Sequence, residues 1–546
     1  GFYDEAVDIA NARAVEHGAG DVDLEGDDDD ALPEELPAKH TSWHKYGVAC
    51  LNAICEDGGE ATPLEEIPAD AATWLNALAA AEKKGEFMDS GSVTLPAIPS
   101  LLRANEMQRI ALNLQLRALL LAHRAEQARA AGRPISDAEY KMMLRLKIWG
   151  TAGVGKSFVL KGGTWISRRL FGCNEATLNL GPTGAASVLN PNGRTYHSVT
   201  SIPDVPVKRR KESTCADFPL SNEQLETLRR LTGTKGRRVA RQVNIDEDGM
   251  IPAENSAWID DRLNRASTLE GEPSLDMTFG GVPVLVSVGD HGQLPAGEGG
   301  GAHLEPSTAR GPVAARGWHL VRREIDDVLV LSETMRQGPD EAALLKRLLA
   351  IREGRATQQH WLEMNNRLSS RISPEERERV SKLRTIDAFE TWAPTNVANR
   401  QRLVEHSLRS DHPVCRAVPT TTGQPPKGED KEVGQIPHVY LGVVGCPIVL
   451  TKNQCVFFKL NNGGRGTVVA HLYAEGKKPP SLPEAVVCDF PDYDGPAWLQ
   501  GEAAVGREKW IPIAVNFSRH KGDGGCKASR TGLPLRAGCA ARANPR

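Results

Sequence analysis

"IWGTAGVGKSFVL", Ile148 to Leu160, decides the fold: an apolar run, a glycine-rich turn, Lys156-Ser157, then apolar residues again. The spacing G-x-x-x-x-G-K-S is filled by Gly150, Gly155, Lys156 and Ser157, with Thr151, Ala152, Gly153 and Val154 between the glycines. Leu144 to Trp149 reads as a strand, and the residues after the turn read as a helix through Leu170. A strand, a turn that curls backbone N–H groups inward and a helix N-terminus together form a cradle for phosphate. Lys156 then bridges the outer phosphates of a nucleoside triphosphate and Ser157 ligates its Mg2+. The motif does not say what the energy of hydrolysis moves.

Further segments are spaced for a parallel sheet with crossover helices. "ATLNLGPTGAASVL", Ala176 to Leu189, reads as strand, turn and helix start; Val243 and Ile245 lie in a strand ending on Asp246 and Glu247; Val284 to Val288 form a third strand, ending near Asp290 and Gln293. Polar residues at the carboxyl ends of parallel strands converge on one crevice. Chemistry assigns Asp246 to Mg2+ through its water shell, Glu247 to the proton of the attacking water and Gln293 to the γ-phosphate.

Composition bounds the rest. At 546 residues, three to four domains of ~150 residues are expected. Hydrophobic residues make up 40%, mean hydropathy is -0.37, and no apolar run is long enough to cross a bilayer. The ten cysteines include no C-x-x-C pair, which points to reduced thiols inside a cell; Cys50, Cys55, His40 and His44 match no zinc spacing. The chain opens on Gly1, so a preceding targeting segment remains open. The net charge of -4 hides an uneven distribution. Acid gathers in "DVDLEGDDDDALPEELP", a solvated linker; base gathers at Val207 to Lys211 and from Arg229 to Arg241, either solvated loops or a surface that tracks phosphates.

"GTAGVGKS", "GPTGAASVL" with "RTYHS", "NIDEDGM", "FGGVPVLVSVGDHGQLP" and "LSETMRQ" stand in the order and at about the spacing of the helicase motifs of the Pif-type DNA helicases, the RecD-like branch of superfamily one. "ANEMQRIAL" ahead of them and "WAPTNVANRQR", "VVGCPIVLTKNQ" and "NNGGRGTVV" behind them extend the resemblance over roughly residues 100 to 536. It implies an α/β motor of two RecA-like domains with parallel sheets that binds ATP and Mg2+, walks 5′ to 3′ on single-stranded DNA and opens the duplex junction ahead. Gln108 takes the place of the glutamine that reads adenine, Arg336 that of the arginine reaching the γ-phosphate from the second domain, and Thr183, Thr195 and His197 lie against the DNA backbone. Repair, recombination, replication or telomere maintenance in the nucleus is the implied setting, with the mitochondrion as alternative. A compromised relic, binding nucleotide or DNA without translocating and derived from a mobile element, is the competing reading.

The expected domains are an N-terminal region over 1–98 with a helical patch at Trp74 to Ala80, a first RecA-like domain over 99–318 with a basic accessory insert near 203–238, and a second over 319–546 with an SH3-like insert near 456–525. The spacing of Leu344, Leu345, Leu348, Leu349 and Ile351 predicts a helix whose stripe is core. Four departures from the family pattern stand out: Asp248-Gly249 after the acidic pair, Asn244 in an apolar strand, His291 and Ala296. An added carboxylate at Asp248 is expected to disturb Mg2+ or point to solvent. After "CKASRTGLPLR" the tail "AGCAARANPR" is expected to be unfit for a strand, as in a truncated or mis-spliced chain or, alternatively, a deliberate short form, leaving the second domain open at a sheet edge, slow in hydrolysis and prone to aggregate.

Overall fold

The computed structural model describes most of residues 104–542; residues 1–103, 133–142, 204–212, 233–239, 269–276, 294–309, 377–385, 424–434, 522–526 and some shorter stretches lie outside the described residues. The N-terminal region with its helical patch, the Cys50, Cys55, His40 and His44 group, the run Val207 to Lys211, His291 and Ala296 all fall there.

The first part of the chain runs α1 (Glu106–Ala130), β1 (Leu144–Gly150), α2 (Lys156–Phe171), β2 (Thr177–Gly181), α3 (Gly184–Ser187), β3 (Arg194–Thr195), α4 (Tyr196–Thr200), α5 (Asn222–Thr232), β4 (Gln242–Ile245), α6 (Ala253–Ser267), β5 (Val284–Gly289), α7 (Pro312–Arg323) and β6 (Asp327–Leu331). Its strands form one sheet in the order β3-β2-β4-β5-β1-β6, with every pairing parallel. This is the RecA-like α/β arrangement. β2, β4 and β5 are buried along their whole length, as parallel strands covered on both faces must be. Leu146, Ile148, Val159, Leu160, Val286 and Val288 pack with Ala111 and Leu119 of α1 in one cluster; Leu178, Leu180, Val243, Ile259 and Leu285 pack in another. A Cβ on Gly163 of α2 would stand 1.9 Å from Gln115 Oε1 of α1, so the two helices approach closely only because that residue is glycine. The boundary expected at 318 needs moving: β6 lies beyond it yet pairs with β1, its Leu329 and Leu331 joining the first cluster.

Beyond β6 come α8 (Ala342–Arg352), α9 (Gln358–Asn365), β7 (Asp387–Phe389), α10 (Trp392–Ser410) and strands β8 (Cys415–Ala417), β9 (Thr420–Thr422), β10 (Tyr440–Gly442), β11 (Pro447–Leu450), β12 (Arg465–Leu472), β13 (Ala485–Asp489), β14 (Trp510–Ala514), β15 (Asn516–Lys521), β16 (Lys527–Gly532), β17 (Leu535–Ala537) and β18 (Ala540–Arg542). A five-stranded antiparallel sheet, β14-β13-β12-β11-β17, contributes Ile448, Val486, Ile511 and Leu535 to an apolar cluster that also takes in Tyr440 of β10. It draws strands from both sides of residues 456–525. Among the described residues, the parallel pairing in this half is β7 with β18.

Two expectations fail here. The leucine stripe of α8 is not core: no residue of that helix is buried, and Leu344, Leu348 and Ile351 are 42, 47 and 43% exposed. Helical spacing places side chains on one face and says nothing of what meets that face. The tail also makes a strand, because ladder and side-chain bonds override weak propensity in three residues. Asn399 of α10 accepts from the Ala540 N–H at 2.7 Å and donates to its carbonyl at 3.3 Å, while Asp387 N–H donates to Cys539 O.

The sheet also absorbs the departures at Asp248 and Asn244. Asp248 is neither at a metal position nor in solvent; it is buried, 2.7 Å from Lys147 Nζ of β1 and accepting from Ser287 Oγ of β5 at 2.6 Å. The lysine in a central strand and the carboxylate after β4 answer one another. Gly289 makes room for them, since a Cβ there would lie 1.9 Å from Asp248 Oδ1. Asn244 donates to Thr164 Oγ1 and Asn179 Oδ1 and accepts from Gln242, so its amide costs little. Lys147→Met should lower stability by about 3–5 kcal/mol because it strands a buried charge. Lys147→Met/Asp248→Ala should recover much of the loss in urea unfolding; a single variant as stable as the parent chain would refute the clamp.

Candidate nucleotide site

β1 ends on Gly150, where a Cβ would stand 2.5 Å from Val154 Cγ2 and 2.7 Å from Leu331 O, so the turn closes tightly over the strand end. Gly153 and Gly155 have φ of 90 and 87°, the left-handed region that glycine enters without strain. Gly155 caps α2, and Lys156 and Ser157 open that helix, where N–H groups and the helix dipole favour an anion. Lys156 Nζ donates to the loop's own carbonyls, Gly150 O at 2.8 Å and Thr151 O at 3.1 Å. A triphosphate would take over those bonds.

Asp246 follows β4 and is 4% exposed. Its Oδ2 accepts from Asn190 Nδ2 at 2.7 Å and its Oδ1 from the Glu247 N–H at 3.0 Å. Burial raises its carboxyl above the usual range, against the pull of those two bonds and of Lys156. Glu247 is half-buried and holds φ of 50°, a backbone state that a non-glycine residue adopts at some cost. Its carboxyl is raised too, by burial first and then by Asp246, with Lys156 opposing and Asp290 and Asp248 adding to the rise. A raised carboxyl is suited to accept a proton from water.

Asp290, after β5, is also buried, and burial acts to raise its carboxyl. Arg352 of α8 overcomes this with two hydrogen bonds, one at 2.8 Å, and holds the carboxyl below its ordinary value. Gln293 is exposed in the turn that follows, its N–H donating to Asp290 O. Arg336 is exposed as well; beside it, Met335 N–H donates to Gly153 O at 2.8 Å and ties this segment to the phosphate loop. Asp246 and Glu247 follow β4 and Asp290 follows β5, so all three stand at the same edge of the parallel sheet as the loop that follows β1.

Gln108 lies against the loop from the first turn of α1. It donates from Nε2 to Val154 O at 3.0 Å, accepts at Oε1 from Asn105 N–H, and its own N–H donates to Asn105 Oδ1. An adenine contact would share an amide bonded at both ends. Thr183 and Thr195 cap α3 and α4 by accepting from Ala186 and Ser198 N–H groups. Thr183 and His197 are exposed and Thr195 is buried, so the first two stand open to a ligand.

The donor set fits Mg2+. Ser157 offers a hydroxyl at the head of α2, and Asp246 a carboxylate with lone pairs beyond the two in use. Among the described residues no three His, Cys, Asp or Glu side chains form a metal cluster, so a cation here would complete its shell with phosphate and water. Sequence reasoning missed Asn190, Lys147 and Arg352; a lysine inside a buried strand is the signal that could have revealed the second.

Residues 125–359 match the model of the PIF1-like helicase family. Among solved structures, the chain is similar to a Pif1 helicase from Candida albicans, with 19% identity, 80% of this chain and 84% of that one covered and a TM-score of 0.49. It is likewise similar to a Bacteroides Pif1 bound to single-stranded DNA, with 18% identity, 74 and 80% coverage and a TM-score of 0.47. No match to a curated protein was found. The matched residues 125–359 take in the phosphate loop, Asp246, Glu247, Asp290, Gln293 and Arg336.

Proposed function

We propose that the chain is an ATP-dependent DNA helicase that moves 5′ to 3′ on single-stranded DNA. The observation that carries the reading is that the Lys156 loop after β1, Asp246 and Glu247 after β4 and Asp290 after β5 all stand at the carboxyl edge of one parallel sheet, with the Arg336 segment bonded to the loop. Lys156 and the loop N–H groups hold the β- and γ-phosphates, Ser157 and Asp246 would hold Mg2+, which neutralises developing charge there, and Glu247 takes the water's proton. Gln293 hydrogen-bonds the γ-phosphate. Arg336 supplies a cation from the following segment, so hydrolysis depends on how that segment sits. Gln108 is assigned to adenine, and Thr183, Thr195 and His197 to the DNA backbone.

The DNA partner is single-stranded, met at a duplex junction, and held by backbone contacts with little base preference. Repair, recombination, replication or telomere maintenance in the nucleus is the setting this reading favours, with the mitochondrion as the alternative.

ATP turnover with and without oligo-dT tests the reading: stimulation of a few-fold or more is expected, and nucleotide binding without turnover would favour a relic. Lys156→Ala should cut turnover by at least about 100-fold with the fold intact; a variant at parental rate would refute the loop assignment. Asp246→Asn should raise the Mg2+ needed to bind nucleotide. Glu247→Gln should instead keep ATP bound and slow hydrolysis by about 100-fold or more. Equal binding losses in a Mg2+ titration of both variants would contradict this division.

A further inference from the structure

Among the described residues, Asn190 is the side chain outside the family motifs' assigned residues that hydrogen-bonds the proposed metal carboxylate. It lies in the turn between α3 and β3, is 5% exposed, and its Nδ2 meets Asp246 Oδ2 at 2.7 Å, an amide donor on an anion in a buried place. Such a charge-assisted bond is short and strong.

The turn that carries it is fixed from several sides. Asn190 N–H donates to Ser187 O at 3.1 Å, and its carbonyl accepts from Gly193 N–H at 3.0 Å. Gly193 has no room for a side chain, since a Cβ would stand 1.9 Å from Ser187 O. The next carbonyl, Pro191 O, accepts from Asn179 Nδ2 of β2 at 2.7 Å and from Arg168 of α2. Asn179 in turn accepts from Thr164 of α2 and Asn244 of β4; Gln242 links Asn244 to Gln115 of α1. Buried amides and hydroxyls thus run from α1 through the sheet to the turn. The bonds made along this run tie the turn to α1 and the sheet, while Asn190 Oδ1 and Gln242 Oε1 have no hydrogen-bond partner among the described residues.

We propose that Asn190 is a positioning residue for Mg2+: its carboxamide fixes the rotation of the Asp246 carboxylate, leaving the lone pairs that Asn190 and Glu247 N–H do not use turned toward the phosphate loop. The proposal rests on the nucleotide-site reading above and extends it by one residue that acts through Asp246 and touches no substrate. Partners that orient a metal ligand typically control metal affinity by about 10–100-fold.

The test is Mg2+ titration of the binding of a fluorescent ATP analogue by the whole chain, with Asn190→Ala and the near-isosteric Asn190→Leu, neither of which can donate. Both should raise the Mg2+ midpoint about 10–100-fold, leave nucleotide binding in EDTA at the parental level and melt cooperatively. In an Asp246→Asn background the same substitutions should add little, because the partner they act through is already altered. Parental Mg2+ midpoints in the Asn190 variants would overturn the proposal. So would equal losses with and without Mg2+ accompanied by early melting, which would make Asn190 a folding residue only. If the parent chain itself binds nucleotide without regard to Mg2+, the site reading fails and the proposal falls with it; a Mg2+-dependent parent with indifferent variants refutes Asn190 alone.

Discussion

Four carboxylates, Asp246, Glu247, Asp248 and Asp290, gather at the carboxyl ends of two adjacent strands, and their mutual repulsion is the constraint that the rest of the structure answers. Two are neutralised by cations of their own: Lys147 from β1 takes Asp248, and Arg352 from α8 takes Asp290. Among the described residues Asp246 receives hydrogen bonds and no ion pair, and Glu247 has its carboxyl pushed up by burial first. What is left under-neutralised beside Lys156 is the pair suited to a divalent cation and a water. Structural and chemical carboxylates are separated by what stands next to them, not by residue type.

The same contacts join the phosphate loop to the chain beyond the first sheet. Met335 N–H on Gly153 O and Arg352 on Asp290 bind the segment after β6 to both edges of the site. α8, which carries Arg352, has its apolar residues exposed among the described residues.

The parallel sheet was legible because its determinants are local. Leu144 to Trp149, the glycines at 150, 153 and 155, and the apolar runs at 243–245 and 284–288 each state a strand or turn within a few residues. Asp246 and Glu247 were legible for the same reason: they end a strand. Pairings across long separations were not. Lys147 with Asp248 and Asn190 with Asp246 join residues 101 and 56 positions apart, and neither partner's neighbours announce the other. α8 shows the opposite failure, a clear local pattern whose tertiary partner is not in the pattern, and the Ala540–Arg542 strand shows a weak pattern rescued by Asn399.

Strand displacement measures whether these carboxylates and the loop lysine drive a motor. A short duplex with a 5′ single-stranded tail, a matched duplex with a 3′ tail and a blunt one are incubated with the chain, Mg2+ and ATP, and release of the labelled strand is followed. Release from the 5′-tailed duplex alone, lost when ATP is replaced by a non-hydrolysable analogue, is the predicted result. ATP turnover without release from any substrate, or equal release from the 3′-tailed duplex, would contradict it.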